Sequence, residues 1–338
     1  MSNQNNLLEP AAEKVPSGPH ESFGADLQFN LTLIRSRLCS NRLKYKLLTV
    51  GKVNPKKLAI AYFEGRADPQ LLERLINKID RLKLDNLMGA GHLETLIKDF
   101  PRSPFPQFQA TTRPDQAISS LLAGKFLILL EGTPVALCAP VSFFDFFTQP
   151  DDPNLNWLFR PFIRFLRLLA AGLAVFLPAL YVAIISFHFY IIPVYFLMPL
   201  AETRLQVPFP PIVEVLFFET MVELLRESAP RFTSHLGTSI GIMAGILLSL
   251  TAISTKMVSS VTVIVSMVTL IASLILPAYD LGLSARILKF TALFFAALFG
   301  VLGLVVTASV TFAHLVTLES LGQPYFQPLI PFKLGKKH

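Results

Sequence analysis

The sequence predicts an α/β soluble head followed by an α-helical polytopic membrane domain, with four full spans, a re-entrant segment and an amphipathic helix. Three observations predict it. Residues 165–187, 236–255, 258–277 and 287–315 are nearly unbroken Leu, Ile, Val, Ala and Phe. Each run reaches the roughly 20 helical residues that cross a hydrocarbon core about 30 Å thick, and a soluble core helix is rarely apolar all round for that length. Residues 26–150, by contrast, alternate strand-like and helix-like patterns with ordinary charge. The expected organisation is a flexible stretch 1–24, a head 25–150, a connector 151–164, a transmembrane domain 165–316 and a basic tail 317–338.

In the head, Leu27, Leu31, Ile34 and Leu38 recur at helical spacing across 26–38. Two strand-like runs follow, 45–50 and 57–63, around a turn-forming 51–55. Asp68-Pro69 opens a helix, Asp as cap and Pro in the first turn, with Leu72, Leu75, Ile76, Ile79 and Leu82 on one face. A shorter helix is expected over 92–98 after a glycine turn at Gly89-Ala90-Gly91, then a Pro-rich ordered loop over 100–108. Arg113-Pro114-Asp115 starts a helix that Gly124 ends, and the runs 126–130 and 135–139 flank Glu131-Gly132-Thr133 as a hairpin.

In the membrane half, Arg160, Arg164 and Arg167 precede the first span and place the head on the cytoplasmic side; Lys333, Lys336 and Lys337 hold the tail there too. Both are satisfied by an even number of crossings. Residues 189–201, broken by Pro193 and Pro199, are too short to cross and read as re-entrant. Residues 213–229 read as an amphipathic helix, with Glu219, Glu223, Arg226 and Glu227 opposite Phe218, Met221, Val222 and Leu225.

Composition narrows the function. A 16% charged fraction fits a 338-residue chain with nearly half its length in lipid, and the +7 net charge suits lipid headgroups. Basic residues such as Arg35, Lys44 and Lys56 are scattered without interleaved aromatics, so nucleic acid is not an expected partner. Cys39 and Cys138 are expected as free thiols. Asn30-Leu31-Thr32 matches a glycosylation sequon, but no export signal precedes it. Neither nucleotide-loop, zinc-protease nor metal-ligand spacing occurs, so no catalytic residue, cofactor or metal is expected. His188 and His314 read as interfacial.

Two membrane patterns carry chemistry. Ser259, Thr262, Ser266, Thr269 and Ser273 fall within an arc of about 80° on a helix. Such a stripe lines a water-filled ion path or packs against a neighbouring helix; Lys256 and Asp280 cap its ends. The acidic face carrying Glu219 and Glu223 either lies at the membrane interface or forms a charged ring that concentrates cations at a channel mouth. Gly237, Gly241, Gly245 and Ser249, four apart, read as a helix-packing seam.

Read in order, Gly18-Pro19-His20-Glu21-Ser22-Phe23, Asn30-Leu31-Thr32-Leu33-Ile34-Arg35, Tyr62-Phe63-Glu64-Gly65, Ser103-Pro104-Phe105-Pro106-Gln107, Glu131-Gly132-Thr133-Pro134, Leu177-Pro178-Ala179-Leu180-Tyr181, Val207-Pro208-Phe209-Pro210 and Leu321-Gly322-Gln323-Pro324-Tyr325 resemble the A subunit of spore germinant receptors, the GerA family. The family has a further soluble lobe before the first of these motifs, so that lobe is expected to be missing here, and His20 stands where the family has Arg. The resemblance implies a homo-oligomeric, nutrient-gated ion-conducting unit of the spore inner membrane. It would work with a transporter-like B subunit and a lipoprotein C subunit, with the head as a cytoplasmic assembly platform. It also carries acidic residues at positions matching Glu214, Glu219 and Glu223. The alternative is a non-conducting shortened paralogue that scaffolds other receptor subunits.

Overall fold

The computed structural model describes residues 21–82, 84–228 and 234–327, with backbone alone at Phe196 and 234–242. The chain divides into two compact units, Met1–Pro161 with His314–His338, and Phe162–Ala313.

The first unit is built on one antiparallel sheet of β1 (Leu43–Val50), β2 (Lys56–Phe63), β3 (Gln109–Thr111), β4 (Phe126–Leu130) and β5 (Ala136–Ala139), in the order β1-β2-β4-β5-β3. Strand alternation sends Leu58 and Ile60 to one face and Ala59, Ala61 and Phe63 to the other. The first face is covered by α2 (Pro69–Asp80) through Leu71, Leu75 and Ile79, and by α3 (Ala90–Ile97) through Leu93 and Ile97. The second is covered by α1 (Leu27–Arg37) through Leu27, Leu31 and Ile34, and by α4 (Pro114–Leu122) through Ala117 and Leu121. Being covered on both sides, β4 is wholly buried and reads as Phe-Leu-Ile-Leu-Leu without alternation.

The start signal at Asp68 acts as the sequence suggests, accepting from the backbone N–H of Gln70 at 2.9 Å, and Asp26 caps α1 in the same way through Gln28 N–H at 2.9 Å. Gly124 ends the α4 segment at φ +86. Three details differ. Gly89 is the cap of α3, and Ala90 and Gly91 form its first turn instead of a separate loop. Phe23, in the stretch expected to be flexible, is fully buried on the α1 face; residues 1–20 lie outside the described residues. Asn30 turns inward to bond both the N–H and the carbonyl of Gly24 at 2.8 Å.

Residues after 314 are not simply a basic tail. β6 (Glu319–Ser320) and β7 (Gln323–Pro324) form a hairpin whose Leu321 and Gly322 both have positive φ, the conformation of a tight turn matched to strand twist. Leu321 joins the α2/α3 core. Ser320 Oγ donates to the Gln107 carbonyl at 2.8 Å and accepts from Val141 N–H at 3.0 Å, while Tyr325 Oη donates to the Pro106 carbonyl at 2.7 Å. Ser103 Oγ and His314 Nε2 are 2.9 Å apart, so His314 has a partner in this unit. Lys333, Lys336 and Lys337 lie outside the described residues.

Cys138 is buried and Cys39 exposed, both as free thiols. Burial pushes the Cys138 thiol up to about 11, against an opposing hydrogen bond from Ser120. Thiolate is the reactive form, so a maleimide is expected to label Cys39 in the native protein and Cys138 only after unfolding. Labelling of Cys138 in the folded state would contradict this packing.

The second unit is helical: α5 (Phe159–Phe187), α6 (Val194–Leu205), α7 (Pro211–Ser228), α8 (Ser234–Ser254), α9 (Ser260–Leu274), α10 (Tyr279–Phe299) and α11 (Val301–Thr317). Among the described residues, α5 and α10 are long and apolar enough to cross a membrane; Met243–Ser254, α9 and α11 are shorter apolar helices. The described helices therefore give two clear spans of the four expected. The run 287–315 is interrupted at Gly300, whose φ of +61 favours glycine and ends α10. The run 258–277 is helical for only 15 residues, capped by Ser259 and finished before Pro277. The first span starts earlier than 165, because Pro161 is tolerated in the first turn of α5 and the connector is shorter than expected. The stretch expected to be re-entrant is a 3₁₀ turn, Phe189–Ile191, followed by α6.

Candidate functional site

The chemistry of the second unit gathers around α7. Val213, Leu216, Thr220, Leu224 and Glu227 form one exposed stripe, and Leu224 is 58% exposed. Glu214, Phe218, Glu219 and Val222 turn inward, Glu219 with 1% of its surface exposed. Two carboxylates, Glu214 and Glu219, are thus buried together with Phe218 and Val222, while Val213, Leu216 and Leu224 turn outward. A buried charge is costly unless it is turned toward protein partners.

Those partners form two networks. In one, Arg204 Nη1 on α6 donates to Glu214 Oε2 at 3.1 Å, and Glu214 Oε1 accepts from the Ser259 backbone N–H at the start of α9. Ser259 Oγ lies 3.1 Å from Thr262 Oγ1, which donates to Tyr181 Oη on α5, also at 3.1 Å. In the other, Lys289 Nζ on α10 reaches Glu219 Oε2 at 2.7 Å and Glu223 Oε1 at 2.8 Å. Glu223 also has Arg226 at 3.5 Å and Arg286 at 3.7 Å, and Arg226 Nη2 donates to Ser273 Oγ at 2.7 Å.

The five stripe hydroxyls, Ser259 at the cap of α9 and four within it, share one inward face. Ser259, Thr262, Ser266 and Thr269 are buried and Ser273 is half-buried. Both ends of the stripe are tied to α7, Ser259 through Glu214 and Ser273 through Arg226. Thr269 and Ser273 also bond back to the carbonyls of Val265 and Leu270. Ser266 Oγ is buried without a hydrogen-bond partner. Glu219 and Glu223 therefore meet α10 through Lys289.

The glycine seam is only partly visible. A Cβ built on Gly245 would meet nothing within 4 Å among the described residues, so none of them packs closely on it. The surroundings of Gly237 and Gly241 lie outside the described residues. Lys289, Arg286 and Tyr181 were not anticipated. The signal for Lys289 was available: a lysine inside an apolar run is by default a functional hypothesis with a partner to be named.

Comparison with known proteins adds identity. The family model described as "Bacillus/Clostridium GerA spore germination protein" matches residues 1–338. Spore germination protein A1 of Bacillus subtilis (strain 168) is 38% identical over 322 residues, 95% of this chain and 67% of that protein. Spore germination protein GerQA of Bacillus cereus is 36% identical over 314 residues, 93% of this chain and 63% of that protein. The chain thus spans about two thirds of the length of these relatives. A solved structure, the N-terminal domain of the A subunit of the Bacillus megaterium spore germinant receptor GerK3, aligns with 36% of this chain and 98% of its own, at 28% identity and a TM-score of 0.31. With its full length matched by the family model and relatives at these identities, the chain belongs to the GerA family of spore germination proteins.

Proposed function

We propose that this chain is an A-type germinant-receptor subunit, part of a nutrient-gated ion-conducting membrane complex that triggers spore germination. The role is non-enzymatic and needs no cofactor. The observation that carries it is the polar interior of the second unit, where the hydroxyl face of α9 is joined to the carboxylate face of α7 while apolar side chains face outward. Oxygen ligands lined along a helix can replace the hydration shell of a cation. The working assembly is a homo-oligomer in membrane lipid, with B-type transporter-like and C-type lipoprotein subunits as partners. The packing of Ser320, Leu321 and Tyr325 into the sheet unit supports an even number of crossings between 162 and 313, because both ends of that stretch leave from one folded unit. The head is cytoplasmic in this reading, consistent with Arg160 and Arg164 at the start of α5.

A second reading, a non-conducting scaffold for other receptor subunits, draws on the same ion pairs as packing elements. One double substitution separates the two. Ser266→Leu with Thr269→Leu is expected to block nutrient-triggered cation release while protein levels stay normal. Unchanged release would remove α9 from the ion path.

A further inference from the structure

We propose that Lys289 is a tethered counter-ion, its ammonium filling a cation position made by Glu219 and Glu223 and keeping that position closed to free monovalent cations. The inference rests on the conducting role above and assigns the group that must move for the site to open.

Lys289 is 4% exposed and lies within the 21-residue α10, so its ammonium is held among protein groups. Two of its three N–H donors are used on Glu219 and Glu223. Among the described residues it is the one ion-pair partner of Glu219, whereas Glu223 also has Arg226 and Arg286. Beside it lies a cavity of about 10 Å³ walled by Glu219, Arg226, Thr269, Ser273, Arg286 and Lys289, room for about one water molecule. The second carboxylate oxygen of Glu219, Oε1, is buried and has no hydrogen-bond partner.

Carboxylate and hydroxyl oxygens are the ligands that hard cations take. Glu219, Glu223, Thr269 and Ser273 supply them on facing helices, and one ligand atom is left unused. An ammonium is itself a compact, strongly hydrated cation, so Lys289 satisfies the carboxylates from within the chain. With it in place, Arg226, Arg286 and Lys289 stand against Glu219 and Glu223, and a further cation is repelled. Moving Lys289 away uncovers both oxygens of Glu219 beside two hydroxyls. The same pairing makes the closed arrangement the resting one, because a buried carboxylate stripped of its partner is costly.

The test uses spores carrying this chain as their only A-type subunit with matching B and C subunits, and rubidium as the probe ion. Lys289→Met is expected to raise rubidium leak without nutrient about tenfold, equivalent to about 1.4 kcal/mol of closed-state bias. Adding Glu219→Gln and Glu223→Gln should remove that leak. Lys289→Arg, which keeps the charge and can bind a carboxylate through two N–H groups, should stay closed at rest and slow triggered release several-fold. Lys289→Met present at normal level with a wild-type resting leak overturns the proposal. If Lys289→Met does not accumulate, Lys289→Arg decides: slowed release supports the counter-ion, and an unchanged rate overturns it. Wild-type spores that release nothing on nutrient addition would sink the conducting role itself, a result separate from failure of Lys289 alone.

Discussion

Replacing Gly303 with Ala is expected to destabilise the second unit by about 3 kcal/mol or more, one of the largest effects any single methyl can have in this chain. A Cβ at that position would lie 2.0 Å from the Phe295 carbonyl oxygen and 2.6 Å from its carbon. These are backbone atoms of α10, so no side-chain rotation relieves the clash. The close approach follows from the break at Gly300, which itself packs against Phe187 and His188. Gly172→Ala and Gly282→Ala are the controls, because no described residue lies within 4 Å of a Cβ at either site. Thermal unfolding in detergent should show a clear loss of Tm for Gly303→Ala and little change for the other two. Equal behaviour of all three would mean that α10 and α11 do not approach in this way.

The second large effect belongs to the returning hairpin. Tyr325→Ala should cost the sheet unit about 3–5 kcal/mol, the usual range for removing a fully buried aromatic ring. Tyr325→Phe should cost about 1–3 kcal/mol, because it leaves the Pro106 carbonyl without its donor. Burial holds the Tyr325 phenol well above its ordinary range, which keeps it a donor. Since its folded pKa is raised, its contribution is complete below the unfolded value of about pH 10 and declines as the pH climbs beyond it. Urea unfolding of the three proteins between pH 7 and 11 checks this. If the wild-type transition were no more pH-sensitive than that of Tyr325→Phe, the phenol would not be the buried donor.

The head was the more legible half. Asp68-Pro69 and Gly124 mark helix ends by local chemistry, and the run over β2 reads as a strand without tertiary information. β3 was not, because three residues hold strand geometry only through pairing with β5. Nor was the hairpin at 319–324, whose Leu321 adopts positive φ because the α2/α3 core takes its side chain. In the second unit, periodicity found two faces of α7 but not which medium each meets. Amphipathicity has the same period in water and in lipid, and only the partners on α9 and α10 decide between them. Glu219 and Glu223 stand out in the sequence as charge near apolar residues, whereas their pairing with Lys289 depends on tertiary packing. Gly300 escaped because a glycine in an apolar run carries no mark of the φ it will adopt. The hydroxyl stripe was legible in full, since five positions at helical spacing need only the helix to coincide.

The most direct measurement is cation efflux from spores in which this chain is the sole A-type subunit beside matching B and C subunits. Nutrient addition should release potassium before any other germination event, with the protein present in the inner membrane. Absence of release from such spores, at normal protein level, would contradict conduction and leave the scaffold reading.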